Sequence, residues 1–140
     1  VAVDRTLFIV KPDAVERNLI GKILAHVEAK GFRIVEARFG SMTREEAQTF
    51  YAEHQARPFF KDLVDYMTSG PVLLTVLERP DAAATLRQVV GATDPAQAEP
   101  GTIRALYGRS KQMNSVHASD SPASSDREVK LFFGAAALPR

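Results

Sequence analysis

The run Val72-Leu73-Leu74-Thr75-Val76-Leu77 constrains the fold of this 140-residue chain more than any other stretch. It is almost continuously apolar, does not alternate, and lies between Gly70-Pro71 and Pro80. Such a run reads as a central strand, because a strand with one wet face would alternate polar and apolar residues. A second short, β-branched run, Arg5-Thr6-Leu7-Phe8-Ile9-Val10, stops at Lys11-Pro12-Asp13 and reads as a buried strand ended by a turn. Phe32 to Phe39 adds a third strand with imperfect alternation.

Helical patterns separate these strands. Ile20, Ile23, Leu24 and Val27 share one helix face, and Gly31 stands where a helix-terminating residue belongs. Thr43-Arg44-Glu45-Glu46 is a capping box, and its helix sets Ala47, Phe50, Tyr51 and His54 on a single stripe. Phe60, Leu63, Val64 and Met67 form another amphipathic pattern, stopped by Ser69-Gly70-Pro71. Pro80-Asp81 opens a helix, with proline in the first turn, whose stripe is Ala83, Leu86, Arg87 and Val90 and whose end is Gly91. From Ala92 to about Ser121 the sequence reads as a long polar loop. Ser121-Pro122 then caps a last helix running toward Phe132-Phe133, and residues 134–140 form a C-terminal tail. Interleaved strands and helices place the chain among α/β or α+β folds around one sheet. A polar loop of that length in a compact domain usually carries function.

Composition narrows the chemistry. Lys and Arg number 18 against 17 Asp and Glu, so the basic excess expected of a duplex-binding protein is missing. There is no cysteine, hence no disulfide framework or thiolate metal site. Residues 1–5 lack the order of a signal peptide, and the longest apolar run falls far short of the ~20 residues that span a bilayer. These features lead to the expectation of a soluble, cytoplasmic, single-domain protein without a membrane partner.

Several residues are costly to place. Arg87 lies within an apolar stripe and must find an anion or reach water; from spacing alone a structural role is the commoner outcome. His54 and Tyr51 have bland alternatives as core side chains with one polar bond. The turns Gly91-Ala92-Thr93-Asp94-Pro95 and Pro100-Gly101-Thr102-Ile103-Arg104 offer amides, hydroxyls and a guanidinium suited to phosphate, although any surface loop contains such groups. His117, one of three histidines, is either a solvated loop residue or a ring offered to a cleft by a short strand Val116-His117-Ala118. A neutral imidazole, with an ordinary pKa of ~6.5, is a good nucleophile near neutral pH. Spacing does not choose between these readings.

Taken together, the blocks TLFIVKPD (6–13), YAEHQARPFF (51–60), MTSGP (67–71), GATDP (91–95), PGTIRA (100–105) and NSVHASDSP (114–122) resemble the nucleoside diphosphate kinase family from Arg5 to Phe133. The resemblance implies one such domain over residues 1–140. Its fold would be a ferredoxin-like α+β sandwich, βαββαβ, with a four-stranded antiparallel sheet whose short fourth strand carries His117. It implies an enzyme that moves the γ-phosphoryl group of a nucleoside triphosphate, typically ATP, to a nucleoside diphosphate by a ping-pong mechanism through a phosphohistidine. In that scheme His117 is the nucleophile and Glu128 orients its ring, with Ser119 in support. Lys11, Tyr51 and Asn114 surround the γ-phosphoryl and the sugar hydroxyl. Arg87, Thr93 and Arg104 hold phosphates with help from His54, and Phe59 stacks on the base. Magnesium arrives with the nucleotide and has no protein cage. The family also implies a homo-oligomer, a tetramer or hexamer built from dimers. Leu106 stands where the family usually has an acidic residue, which brings a local salt bridge or subunit contact into question but not the transfer chemistry.

Two other readings compete. A non-catalytic nucleotide-binding regulatory module would be expected to lose the nucleophile or a phosphate ligand, yet His117, Lys11, Arg87 and Arg104 are all present. Nucleic-acid binding on the sheet would need aromatics on its open face and a basic rim; the first strand has only Phe8 and the net charge is +1.

Overall fold

The chain is described over residues 3–138 by a computed structural model; the last two residues of the C-terminal tail, 139 and 140, lie outside the described residues. Four strands form one sheet in the order β2-β3-β1-β4, with every neighbouring pair antiparallel. They are β1 (Val3–Val10), β2 (Arg33–Ser41), β3 (Pro71–Pro80) and β4 (Val116–Ala118). This is the ferredoxin-like arrangement, and the run Val72 to Leu77 occupies a central strand as its composition requires. β1 and β3 pair over their full length, from Val3 opposite Pro80 to Val10 opposite Leu73. β2 is an edge strand with a register irregularity between Ile34 and Glu36. Most of its residues are intermediate or exposed, which accounts for the imperfect alternation.

Alternation along the central strands divides the apolar residues between two cores. Phe8, Val10, Leu73 and Leu77 pack with Ile23 and Val27 of α2 (Ile20–Ala29 in chain order, after α1, Pro12–Glu16) and with Leu86 and Val90 of a later helix. Leu7, Ile9, Leu74 and Val76 pack on the other face with Ala47 and Phe50 of α3 (Arg44–Phe50) and with Val64 and Met67 of α4 (Phe60–Met67). Both faces of the sheet are therefore dry, which is why the central strand shows no polar period.

Several local readings change. Lys11-Pro12-Asp13 does not end β1 in a simple turn; Pro12 starts α1, where its missing N–H costs nothing. Pro80 belongs to the end of β3, and α5 (Ala82–Val90) begins only after Asp81, which adopts a left-handed conformation. α3 stops at Phe50, so Tyr51 caps it and His54 belongs to a separate 3-10 turn, Ala52–His54. The predicted polar loop contains a 3-10 turn at Pro95–Gln97, the short helix α6 (Ile103–Tyr107) and β4. The capping box of Thr43 and Glu46 forms with both reciprocal bonds. Ser121 caps α7 (Pro122–Phe133) by accepting from the Ser124 amide. Beyond α7 the chain folds back: Ala137 is buried and its carbonyl accepts from Arg5.

Candidate active site

Register delivers the central histidine. β4 pairs with the end of β1, so His117 lies opposite Ile9, two residues before Lys11. Its neighbours Val116 and Ala118 enter the core beneath α2 and α5, and strand parity turns His117 to the opposite face. There its ring meets Phe50 edge-on, with centroids 4.8 Å apart. α7 crosses this face and brings the Glu128 carboxylate within 2.9 Å of the His117 Nε2. The same carboxylate oxygen accepts from the Ser119 hydroxyl at 2.7 Å. Nε2 is thus committed to Glu128, and Nδ1 has no hydrogen-bond partner among the described residues. Burial holds the His117 pKa below its ordinary value; Glu128 pulls the other way, and the positive Lys11 and Arg104 reinforce burial. The ring is consequently neutral near pH 7.

Three cations surround β4, and among the described residues none of them has a carboxylate partner. Arg104 is only 3% exposed. Its guanidinium donates to the Val116 carbonyl at 2.9 Å and to the Gly91 carbonyl at 3.1 Å, while its Nε has no partner. Burial, followed by the charge of Arg87, lowers its pKa to about 10. Arg87 reaches from α5 to the Ala118 carbonyl at 3.3 Å. The two arginines therefore grip the carbonyls on either side of His117. Lys11 is buried, and its Nζ donates to Asn114 Oδ1 at 2.9 Å. Burial lowers its pKa to about 7, with the positive Arg104 adding to the effect and Asp13 opposing it. Lys11 and Arg104, buried and supported only by neutral acceptors, favour a negatively charged ligand, and the exposed Arg87 adds a third positive group beside them.

The loops are riveted to this centre by polar side chains. The Asn114 amide donates to the carbonyls of Thr93 and Lys111. Gly91, at φ +92°, presses against Thr102 so closely that a Cβ would stand 2.5 Å from its hydroxyl oxygen. Only glycine fits there, and it is the Gly91 carbonyl that Arg104 holds. On the other side of the cleft, aromatic rings run from Phe50 through Tyr51 and His54 to Phe59, which is 46% exposed at the rim. Burial raises the Tyr51 pKa, so its hydroxyl stays protonated. A cleft of about 190 Å³ opens among Tyr51, His54, Arg87, His117, Asp120 and Glu128.

A model of the nucleoside diphosphate kinase family matches residues 4–138. The chain belongs to the nucleoside diphosphate kinase family. A nucleoside diphosphate kinase of Thiobacillus denitrificans is 53% identical over 134 residues, covering 96% of this chain and 94% of that one. One from Halalkalibacterium halodurans is 50% identical over 135 residues, covering 96% and 92%. Among solved structures, a halophilic nucleoside diphosphate kinase from Halobacterium salinarum in complex with CDP superposes with a TM-score of 0.93 at 43% identity, covering 99% of this chain and 93% of that one. The protein is accordingly an enzyme, a nucleoside diphosphate kinase.

The fold of this kinase gathers His117, Glu128, Ser119, Lys11, Asn114, Arg87 and Arg104 around β4. Tyr51 and His54 line the cleft, and Phe59 lies at its edge. Thr93 enters through its carbonyl, which Asn114 holds; no hydrogen bond of its hydroxyl is recorded. The sequence reading missed Asp120, which lines the cleft with its carboxyl held below the ordinary range by a hydrogen bond from Ser124. It also missed Phe50 as the wall of the histidine, and Ser115, a non-glycine residue at φ +77° between Asn114 and β4. Asp120 follows Ser119 directly in the NSVHASDSP block and was the more legible of these. Among the described residues no three His, Asp or Glu side chains gather to hold a metal ion, and no helix is long and apolar enough to cross a membrane.

Proposed function

We propose that the enzyme transfers the γ-phosphoryl group of a nucleoside triphosphate, typically ATP, to a nucleoside diphosphate in two steps through a phosphorylated His117. The observation that carries this reading is the commitment of Nε2 to Glu128, with Nδ1 left as the nucleophile. In the first step Nδ1 forms a bond to the γ-phosphorus as the bond to the bridging oxygen breaks, and the diphosphate leaves. The ring gains positive charge, which Glu128 stabilises across the Nε2–H bond while Ser119 steadies the carboxylate. The second step reverses the first with a different diphosphate as acceptor, so a single site serves both halves.

Catalysis here consists mainly of holding the phosphates in line and neutralising charge on their oxygens. Lys11 and Asn114 act at the γ-phosphoryl end, and the protonated Tyr51 hydroxyl donates nearby. Arg87, Arg104 and Thr93 hold the remaining phosphates, with His54 assisting. Phe59 offers a flat apolar face to the base, a contact that every base satisfies. The Halobacterium relative is solved in complex with CDP, a nucleotide whose diphosphate matches the positive groups around β4. Magnesium is the cofactor we assign; arriving with the nucleotide, it would supply charge neutralisation on the transferred group. The donor set fits an ion that would arrive with its nucleotide: Glu53, Asp120 and Glu128 line the cleft, but Glu128 is engaged by His117 and Ser119, and among the described residues no three such side chains gather as a cage.

Incubation with γ-labelled ATP and magnesium should leave label on the protein that resists alkali and is lost in acid, and His117→Ala should carry none while remaining folded. A wild-type protein that turns over without forming such a species would overturn the two-step reading. We also assign a homo-oligomer, a tetramer or hexamer built from dimers. The exposed edge strand β2, with Phe39 58% exposed, supports the dimer seam. Light scattering after size exclusion should show a mass of several chains, and a monomer at micromolar concentration would sink the assignment.

A further inference from the structure

Arg17 is absent from the phosphate-handling set, yet its guanidinium makes four polar contacts to three residues, Asp13, Tyr107 and Ser115. Its Nη2 lies 2.6 Å from the Tyr107 carbonyl, 3.3 Å from the Ser115 hydroxyl and 3.3 Å from Asp13 Oδ2, and its Nε donates to the Asp13 carbonyl at 3.3 Å. Tyr107 ends α6 and Ser115 immediately precedes β4, so this one guanidinium ties the start of the 108–115 loop to its end. The anchor is itself held. Asp13 is buried, its other carboxylate oxygen accepts a short hydrogen bond from the Tyr66 hydroxyl, and its amide donates back to that hydroxyl at 3.2 Å.

What the clamp holds is strained. Ser115 sits at φ +77°, a conformation costly for a non-glycine residue, which persists only where the surroundings impose it. That turn allows Asn114 to face Lys11 and Thr93 while Val116 enters the sheet. The Ser115 carbonyl also accepts from the Lys11 amide at 2.9 Å, so the backbone that presents Lys11 is fastened to the same residue.

We propose that Arg17, braced by Asp13 and Tyr66, is a positioning residue for phosphoryl transfer: it holds Ser115 in its strained turn and thereby sets Asn114 and Lys11 against the phosphoryl group. The inference rests on the reading that Lys11 and Asn114 act there. Arg17 touches no reacting atom, so its effect is on geometry and falls on kcat more than on nucleotide affinity.

The test compares Arg17→Gln, Tyr66→Phe and the double variant Arg17→Gln/Ser115→Gly, with Lys11→Met as the reference for the underlying reading. Arg17→Gln should lower kcat about tenfold to a hundredfold, the scale of a sub-ångström to ångström misplacement, with KM changed less than about threefold. Ser115→Gly should restore a substantial part of that loss in the double variant, because glycine adopts φ +77° without strain and needs no clamp. A role in stability alone predicts no such rescue. Tyr66→Phe removes one hydroxyl at constant shape and should lower kcat in the same direction by a smaller factor, which keeps the test open if Arg17→Gln fails to fold. The proposal is overturned if a folded Arg17→Gln keeps kcat within twofold of wild type, if glycine gives no recovery, or if Tyr66→Phe is unaffected where Arg17→Gln cannot be folded. If Lys11→Met retains full transfer, the reading beneath the proposal falls with it. A crippled Lys11→Met beside an intact Arg17→Gln removes only the clamp.

Discussion

The two central strands and the polar segment 91–121 are ordered by different forces. β1 and β3 pair along their whole length and fill both cores with Leu7, Phe8, Ile9, Val10 and the run Val72 to Leu77. Their order comes from removing apolar surface from water, which is non-directional and tolerates changes of detail. The segment 91–121 contributes a three-residue strand, a short helix and a 3-10 turn. Buried and half-buried polar side chains hold it by gripping backbone carbonyls: Arg104 on Gly91 and Val116, Asn114 on Thr93 and Lys111, Arg17 on Tyr107. Two of these, Arg104 and Asn114, are also the residues to which the proposed mechanism gives the phosphates. On that mechanism stability and chemistry are separable in the strands, whereas in the polar segment the same atoms serve both.

The comparison breaks most visibly through a paired substitution. Leu74→Ala, in the core of β3, should cost about 2–5 kcal/mol in denaturant unfolding while leaving turnover per folded molecule near the wild-type value. Arg104→Met should cost less stability, about 1–3 kcal/mol from carbonyls left without donors, yet lower transfer severely. If Leu74→Ala damaged kcat as much as Arg104→Met, the claimed separation would not exist.

A finer measurement concerns protons. Lys11 has a pKa of about 7 in the free protein against an ordinary 10.5, with burial as the first cause. Phosphate oxygens beside the amine favour its charged form and raise that value. Nucleotide binding should therefore take up protons between about pH 7 and 10.5, where the free amine is largely neutral, and little at pH 6, where it is already charged. Calorimetry at pH 8 in buffers of different ionisation enthalpy reads the uptake directly, and Lys11→Met should lose it. An uptake that persists in that variant would assign the proton to another group.

These differences explain what was legible beforehand. The strands and most helices follow from periodicity and punctuation, as at Val72 to Leu77, at Ile20 to Val27 and in the capping box of Thr43 and Glu46. β4 was barely visible, because three residues carry too little pattern to stand out from a polar loop. α6 was missed for the same reason. His54 was placed on the α3 stripe, but the helix ends at Phe50 and the stripe has no fourth turn to continue. Among site residues, the choice of His117 over a solvated histidine came from family blocks, since its own spacing was silent. Ser115 and Arg17 left no local signal, because a positive φ at serine and a bond across 98 positions are not written in neighbouring residues.

By itself, then, the sequence determined the periodic elements, the double-sided burial of the central strands and the family to which the chain belongs. Those properties depend on residues close together in the chain and on apolar burial, which pattern records. Tertiary structure alone decided which ring nitrogen of His117 is occupied, that Arg87 and Arg104 flank β4 with no carboxylate partner among the described residues, and that Lys11 is desolvated enough to titrate near neutrality. Each of those depends on distances between groups far apart in sequence and on the removal of water around them, and neither is set until the sheet has closed.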